Sequence, residues 1–409
     1  MRVDTYSCAR RIPAQVWDDV APADFFFSRA FLRVMEESGV EDARYRYIVL
    51  HDGGRPIGQA VLSAFTLRLD LLARDPWIQR VRALFPRLLD VPIVCCGIPA
   101  SYGQHHLHVA RPEHAAEAVR AVHEAMESWA AEIGAGALFW KEWHRVQAAY
   151  GAIPALGYVG LPTLPDHHVT KLPSTIETFM ASLRSQYRRK YRPVAELMNG
   201  PGPVWAAGAL QLEDLPFTER QAAGFHRGYV SVLNRADVRL EMYPPAFFRQ
   251  LASSPLDVRM LRLTGCRTGE SLAALVVPSG DVLTFILVSK ERAFYRDALY
   301  SNLLRCIVLY AIHNGFREVR LGQTSNYAKG SLGAEPVPLE TFVRLRTAWQ
   351  HELLKRFGHM LFPDTAVPRF HVFRDAGPFD ARPPAARPLD LRPPGARTPD
   401  AADRVAAHA

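Results

Sequence analysis

The residues best suited to chemistry stand in a few short stretches, most of them in the second half of the chain. Leu321-Gly-Gln-Thr-Ser-Asn-Tyr-Ala-Lys-Gly-Ser-Leu-Gly333 is polar, punctuated by glycine and follows a strand-like run. Gln323, Thr324, Ser325 and Asn326 donate or accept hydrogen bonds, and Lys329 neutralises a phosphate, a carboxylate or a developing oxyanion. Ser289-Lys-Glu-Arg-Ala-Phe-Tyr-Arg-Asp-Ala-Leu-Tyr300 joins a strand to a helix. Free N–H groups at that helix start, beside Lys290, Arg292 and Arg296, are expected to form a phosphate site, with Tyr300 on the first helical turn. The bland alternative is surface arginines and an Asp297 cap. Arg184, Arg188 and Arg192 stand four apart, flanked by Arg189 and Lys190, with no acidic residue from 184 to 192. Such a stripe fits a nucleic-acid backbone or another anion, and equally a solvated helix face. Glu241, His226 and Asp297 are the candidate proton acceptors.

The elements that must position these groups occur twice in the same order. Tyr45–His51 and Ile57–Phe65 are β-rich runs joined by Asp52-Gly53-Gly54, a hairpin signal. Val119, Val122, Met126, Trp129, Ala130 and Ile133 then follow helical spacing, Gly134 caps, and Ala137–Trp140 reads as a strand. In the second half, runs 258–263 and 271–277 repeat the hairpin and 282–288 extends it. A helix over 298–313 ends at Asn314-Gly315, and strand 318–321 follows. Between the copies, Ser174-Thr-Ile-Glu177 is a capping box opening a helix that Pro193 is expected to kink or end. Hairpin, helix, cap and strand, met twice, is an α+β plan. It predicts one unit over 1–165, with an insertion at about 66–108 holding an amphipathic basic stretch, and a second over 166–375.

Composition bounds the rest. With 409 residues and 48% hydrophobic content the chain has room for two ordinary cores, which excludes a peptide, a fibre or a disulfide mini-protein. Five cysteines without a C-x-x-C fit reduced thiols, and neither His105-His106-Leu-His108 nor His167-His168 has the partners of a metal site, so no metal is expected. The start MRVDTYSCARR lacks an apolar signal and no long apolar run occurs, so the expectation is a cytoplasmic protein without membrane insertion. Residues 376–409 hold seven Pro, five Arg and four Asp and read as a disordered tail. The tail carries 5 − 4 = +1 of the net charge of +8, so the basicity belongs to the body. No G-x-S-x-G, dinucleotide fingerprint or Walker A is present, which argues against a serine hydrolase, a Rossmann dehydrogenase and a P-loop enzyme.

Three features together resemble the GNAT superfamily acyltransferases, and among them the FemAB-like group with two GNAT domains in tandem. They are the basic helix 179–192, the run Phe294–Tyr300 leading into the helix that ends at Asn314-Gly-Phe316, and Leu321-Gly-Gln-Thr-Ser with Lys329-Gly-Ser-Leu-Gly-Ala334. The first half resembles the degenerate partner unit. The resemblance implies an N-acyltransferase that moves an acyl group from a thioester donor such as acyl-CoA to a small-molecule or peptide amine. Donor phosphates would lie near Lys290, Arg292, Arg296 and Tyr300. Gln323, Thr324, Ser325, Asn326 and Lys329 would line the reacting centre, and Glu241 lies in the stretch that usually faces acceptor.

One departure is informative. GNAT domains that use acetyl-CoA cradle its pyrophosphate in a loop Q/R-x-x-G-x-G/A, whereas no glycine occurs from Asp281 to Asn314. Either the basic side chains hold the phosphates, or the donor is aminoacyl-tRNA, as in FemAB-like relatives, with the 184–192 stripe contacting the tRNA. A non-catalytic ligand-binding GNAT fold is the third alternative, favoured if side chains fill the space beside 323–329.

Overall fold

The computed structural model describes residues 1–22, 24–68, 90–198, 202–235, 241–292, 297–361 and 367–374. Its strands are β1 (Arg2–Tyr6), β2 (Arg44–Asp52), β3 (Arg55–Arg68), β4 (Asp90–Cys96), β5 (Leu107–Val109), β6 (Ala137–Trp143), β7 (Val159–Pro162) and β8 (Asp166–Val169). There follow β9 (Val204–Ala207), β10 (Leu210–Pro216), β11 (Arg259–Gly265), β12 (Ser271–Ser279), β13 (Val282–Arg292), β14 (Glu318–Arg320), β15 (Glu335–Val337) and β16 (Glu340–Leu345). The helices are α1 (Ala14–Asp18), α2 (Arg29–Glu37), α3 (Ala115–Ile133), α4 (Ile176–Ser182), α5 (Ser185–Leu197), α6 (Glu219–Leu233), α7 (Pro245–Ser253), α8 (Asp297–His313), α9 (Asn326–Gly330) and α10 (Ala348–Leu361). Two mixed, mainly antiparallel sheets flanked by helices result, in the α+β plan read from the sequence.

The first sheet runs β1-β2-β3-β4-β6-β16-β7 and the second β15-β8-β14-β13-β12-β11-β10-β9. Alternating side chains sort their faces. Ile48 and Leu50 of β2 pack with α3, while Tyr45, Tyr47 and Val49 face the other way into a core that also holds Phe225, Phe247, Phe248, Leu275 and Ile286 of the second unit. The sequence left room for two ordinary cores; besides a core in each unit, α2, α6 and α7 are buried in a further core between the sheets. On the far face of the second sheet, α5 and α8 close a core of their own.

Four expectations are corrected. β16, placed by sequence in the second unit, inserts between β6 and β7 of the first sheet, and α10 packs beside it. The helix opened by the 174–177 box, which the side chain of Thr175 caps, ends at Ser182. Leu183 and Arg184 are extended, because the backbone there pairs with residues 372–374. Pro193 lies inside α5 and does not end it, since Tyr187, Tyr191 and Val194 anchor both sides of the proline in the core. Of the insertion expected at about 66–108, residues 69–89, with most of its basic stretch, lie outside the described residues, as does the tail from 375; the remainder is no insertion, since β4 lies between β3 and β6 and β5 pairs with β3.

In each unit one parallel pair flanks a long helix. β4 pairs with β6 over Ile93–Cys96, and β13 with β14 over only Val282–Thr284. Beyond Thr284 the register against β12 skips Ile286, a bulge that turns Ile286 and Leu287 to the same core. Helix α6 lies on this segment so closely that a Cβ on Gly228 would stand 2.1 Å from Ser289 Oγ and 2.6 Å from the Lys290 carbonyl oxygen. Gly228→Ala is therefore expected to destabilise the fold by about 1–3 kcal/mol through overpacking. Gly224→Ala, on the same helix with only the tip of Arg227 within 4 Å, should stabilise it by about 0.5–1 kcal/mol. Urea melts of the two variants check the contrast.

Candidate functional site

Where β13 and β14 part, a cavity of about 170 Å³ opens between the two units. One wall is Phe285–Val288 of β13, another is Leu321–Thr324, and Lys329 and Tyr300 line it from α9 and α8. Tyr229 and Leu233 of α6 contribute, as do Glu241 and Tyr243 from the segment before α7. The first unit adds Ser101 and Tyr102. Apart from Glu241, Lys329 and a few hydroxyl and amide groups, this lining is aromatic and aliphatic, the usual make-up of a small-ligand site.

Lys329 is buried, with 2% of its surface exposed. Gly322 lies beside it. At φ +79° this residue takes a left-handed turn, and a Cβ there would stand 3.7 Å from Lys329 Nζ. Among the described residues no carboxylate lies within ion-pair distance of the amine. Burial pushes its pKa from 10.5 down to about 7, with Asp166 acting in the opposite sense. His167, set aside in the sequence as lacking metal-site partners, lies in β8 and donates from Nδ1 to the Gly322 carbonyl at 3.2 Å. Burial, and next the charge of Lys329, lowers its pKa to about 4, so the ring is neutral and Nε2 is unprotonated. Asp166 is held by the His167 N–H and the His168 ring, both at 2.8 Å.

Glu241 faces the same cavity from the other unit's side. Its Oε1 accepts from Tyr243 Oη at 3.0 Å and from the Ser101 N–H at 3.3 Å, and its Oε2 is buried without a partner among the described residues. Tyr229 Oη donates to the Glu241 carbonyl at 3.2 Å. Burial raises the pKa of the carboxyl, a rise that Lys141, Ser101 and Tyr243 oppose. Gln323 is 5% exposed and its Nε2 is likewise an unpartnered buried donor.

The remaining expected site residues divide. Thr324 and Tyr300 line the cavity; Ser325, at φ 64°, and Asn326 begin α9 and are not among the lining residues. Lys290 is half-buried and outside the lining, and His226 packs on Phe248 at 5.4 Å. The side chains of Arg292 and Asp297, and Arg296 altogether, lie outside the described residues. No residue of the basic stripe lines the cavity. Arg184 donates to Phe373 O and Arg188 to Leu183 O, both at 2.9 Å, Arg192 pairs with Glu196, and Lys190 stacks on Tyr187, while Arg189 is exposed. Among the described residues no cluster of three or more His, Cys, Asp or Glu is arranged to hold a metal, and no helix is long and apolar enough to cross a membrane.

No family model and no curated protein matches the sequence. Solved structures do match. FemX superimposes with a TM-score of 0.54 at 11% identity, covering 87% of this chain and 100% of its own. The chain has the FemAB-like tandem GNAT fold. Also similar are a tandem GNAT protein from the clavulanic acid biosynthesis pathway, at 11% identity, 84% and 98% coverage and TM-score 0.47, and the C-terminal domain of a putative lysylphosphatidylglycerol synthetase from Agrobacterium fabrum, at 11%, 87% and 98%, and 0.46.

The buried amine has a thermodynamic signature within this GNAT fold. Below about pH 7 Lys329 is protonated both folded and unfolded, and the full cost of burying the ammonium is present. From about 7 to 10.5 the unfolded chain binds the extra proton, so stability rises with pH and the cost fades. Lys329→Met is expected to be more stable than wild type near pH 6.5, with the advantage shrinking towards pH 10. Urea melts across that range check it, and a pH-independent advantage would refute the desolvated amine.

Proposed function

We propose that this protein is an N-acyltransferase, moving an acyl group from a thioester donor of the acyl-CoA type to a primary amine in the cavity between its units. The observation that carries the reading is a buried carboxyl with a free oxygen and a buried lysine amine lining one small cavity where two parallel strands part. Direct transfer needs a proton acceptor for the amine, a donor for the oxyanion and close orientation, and no covalent nucleophile.

Glu241 takes the acceptor's proton as the amine nitrogen attacks the thioester carbonyl. Its raised pKa makes it a better base than an exposed carboxylate. The C=O oxygen becomes an oxyanion, towards which Lys329 and the Gln323 amide donate. As the tetrahedral centre collapses the C–S bond breaks, and the thiolate takes a proton from Lys329, whose pKa of about 7 suits that donation. The amide and the free thiol leave, and the proton held by Glu241 returns to Lys329 through solvent. Donor phosphates would be held outside the cavity by Lys290, Arg292 and Arg296.

An aminoacyl donor, carried by tRNA, is the second reading. The observation favouring it is the carboxylate of Glu241 among the tyrosine rings, which suits a donor's α-ammonium as well as an acceptor's. The basic stripe, bound to its own chain and outside the cavity, does not add to it. The open space beside 323–329 removes the observation that would have favoured a non-catalytic fold.

Purified protein offered acetyl-CoA, longer acyl-CoAs and aminoacyl-tRNA with mixed amines, read by mass spectrometry, is expected to yield an amide from a CoA donor. With that donor, Glu241→Gln should lower kcat by about 10²–10⁴-fold. Lys329→Ala should lower it by about 10²–10³-fold. Unchanged turnover in both variants would refute the site.

A further inference from the structure

The first unit carries a counterpart of the catalytic parting, and it is closed. β4 and β6 run parallel as far as Cys96 and Trp140, and the next residues are Gly97 and Lys141. Where the second unit opens a cavity, the Lys141 side chain crosses the gap. Its Nζ donates to the carbonyl oxygens of Ile98 (3.3 Å), Pro99 (3.2 Å) and Ala100, and to Ser101 Oγ (2.9 Å). The following residue, Glu142, accepts the N–H groups of Gly103 (2.8 Å) and Gln104 (3.1 Å), and lies 3.5 Å from Lys141. Two adjacent side chains of β6 thus grip the segment 98–104 along its length. That segment presents the Ser101 N–H to Glu241 Oε1 and Tyr102 to the cavity.

We propose that Lys141 is a positioning residue for Glu241, acting across the units: it fixes the 98–101 segment whose Ser101 N–H holds Oε1, and it brings its own positive charge to that side of the cavity. This rests on Glu241 being the proton acceptor. The groups facing Glu241 are few. Lys141 and the Ser101 N–H favour its charged form, Tyr243 donates to it, Glu142 opposes it, Tyr102 and Tyr229 are neutral neighbours, and the Lys329 amine lines the same cavity. Lys141 is only 17% exposed, and its field acts in a low-dielectric setting where a single charge counts for more than at the surface. The first GNAT unit is then part of the active site through a residue that never meets substrate.

The test uses the full chain with Lys141→Met, Lys141→Gln and Lys141→Arg. The Glu241 carboxyl is titrated by ¹³C-glutamate NMR, its signal identified by its loss in Glu241→Gln. In Lys141→Met the titration midpoint and the acid limb of kcat are expected to move up together by about one pH unit or more. Lys141→Arg, which keeps the charge, should stay near wild type. Should Lys141→Met fail to fold, Lys141→Gln, which keeps amide donors for the carbonyls, reports the charge alone. A midpoint unmoved in either neutral variant overturns the proposal. The titration is read without turnover, so it remains decisive even if Glu241→Gln turns over normally and the base assignment itself falls.

Discussion

Two parallel strands that pair for three residues and then separate set the terms for the rest of the second unit. Separation leaves strand edges inside the molecule, and unpaired backbone groups there must find other partners or face a ligand. The bulge at Ile286, the left-handed turn at Gly322 and the close seat of α6 on β13 at Gly228 all sustain that gap. In the first unit the same geometry ends differently, because a lysine reaches over and occupies the carbonyls. One construction serves once as a pocket and once as a brace.

Keeping the pocket carries a thermodynamic burden. A carboxyl and an amine are both removed from water without being paired to each other, and each pKa moves towards neutrality as a result. Those shifts weaken the fold at some pH values yet place both groups where proton transfer is easiest. The shared core between the sheets, with Trp17, Phe31, Tyr47, Phe247 and Phe248 wholly buried, offsets that burden away from the chemistry.

Local order was legible in the residues: the hairpin at Gly53-Gly54, the Gly134 cap and the run of α8 all announce themselves within a few positions. Lys329, Glu241 and Gln323 were legible as chemical types. Their burial was not, since it depends on Asp166, Tyr229 and the first unit arriving from distant parts of the chain. The 184–192 stripe shows the converse, its charges being spent largely on nearby carbonyls and Glu196. A clue to Ser101 and Lys141 did exist. Once the chain is read as a repeat, Lys141-Glu142, beyond the parallel pairing of β6, corresponds to Gly322-Gln323 after β14, so a polar segment of weight in one copy marks the other.

The path of β16 has a bearing on how this molecule comes into being. β6 and β7 leave the ribosome early, yet the strand that lies between them emerges only after some 175 further residues have been made, from Val159–Pro162 to Glu340–Leu345. Until then the β6 edge of the first sheet is open and able to recruit a wrong strand, and β7 has no strand to pair with. The earlier half must therefore wait, incomplete, for the later half to be translated. The cell receives not two modules in succession but one object whose later half locks its own beginning.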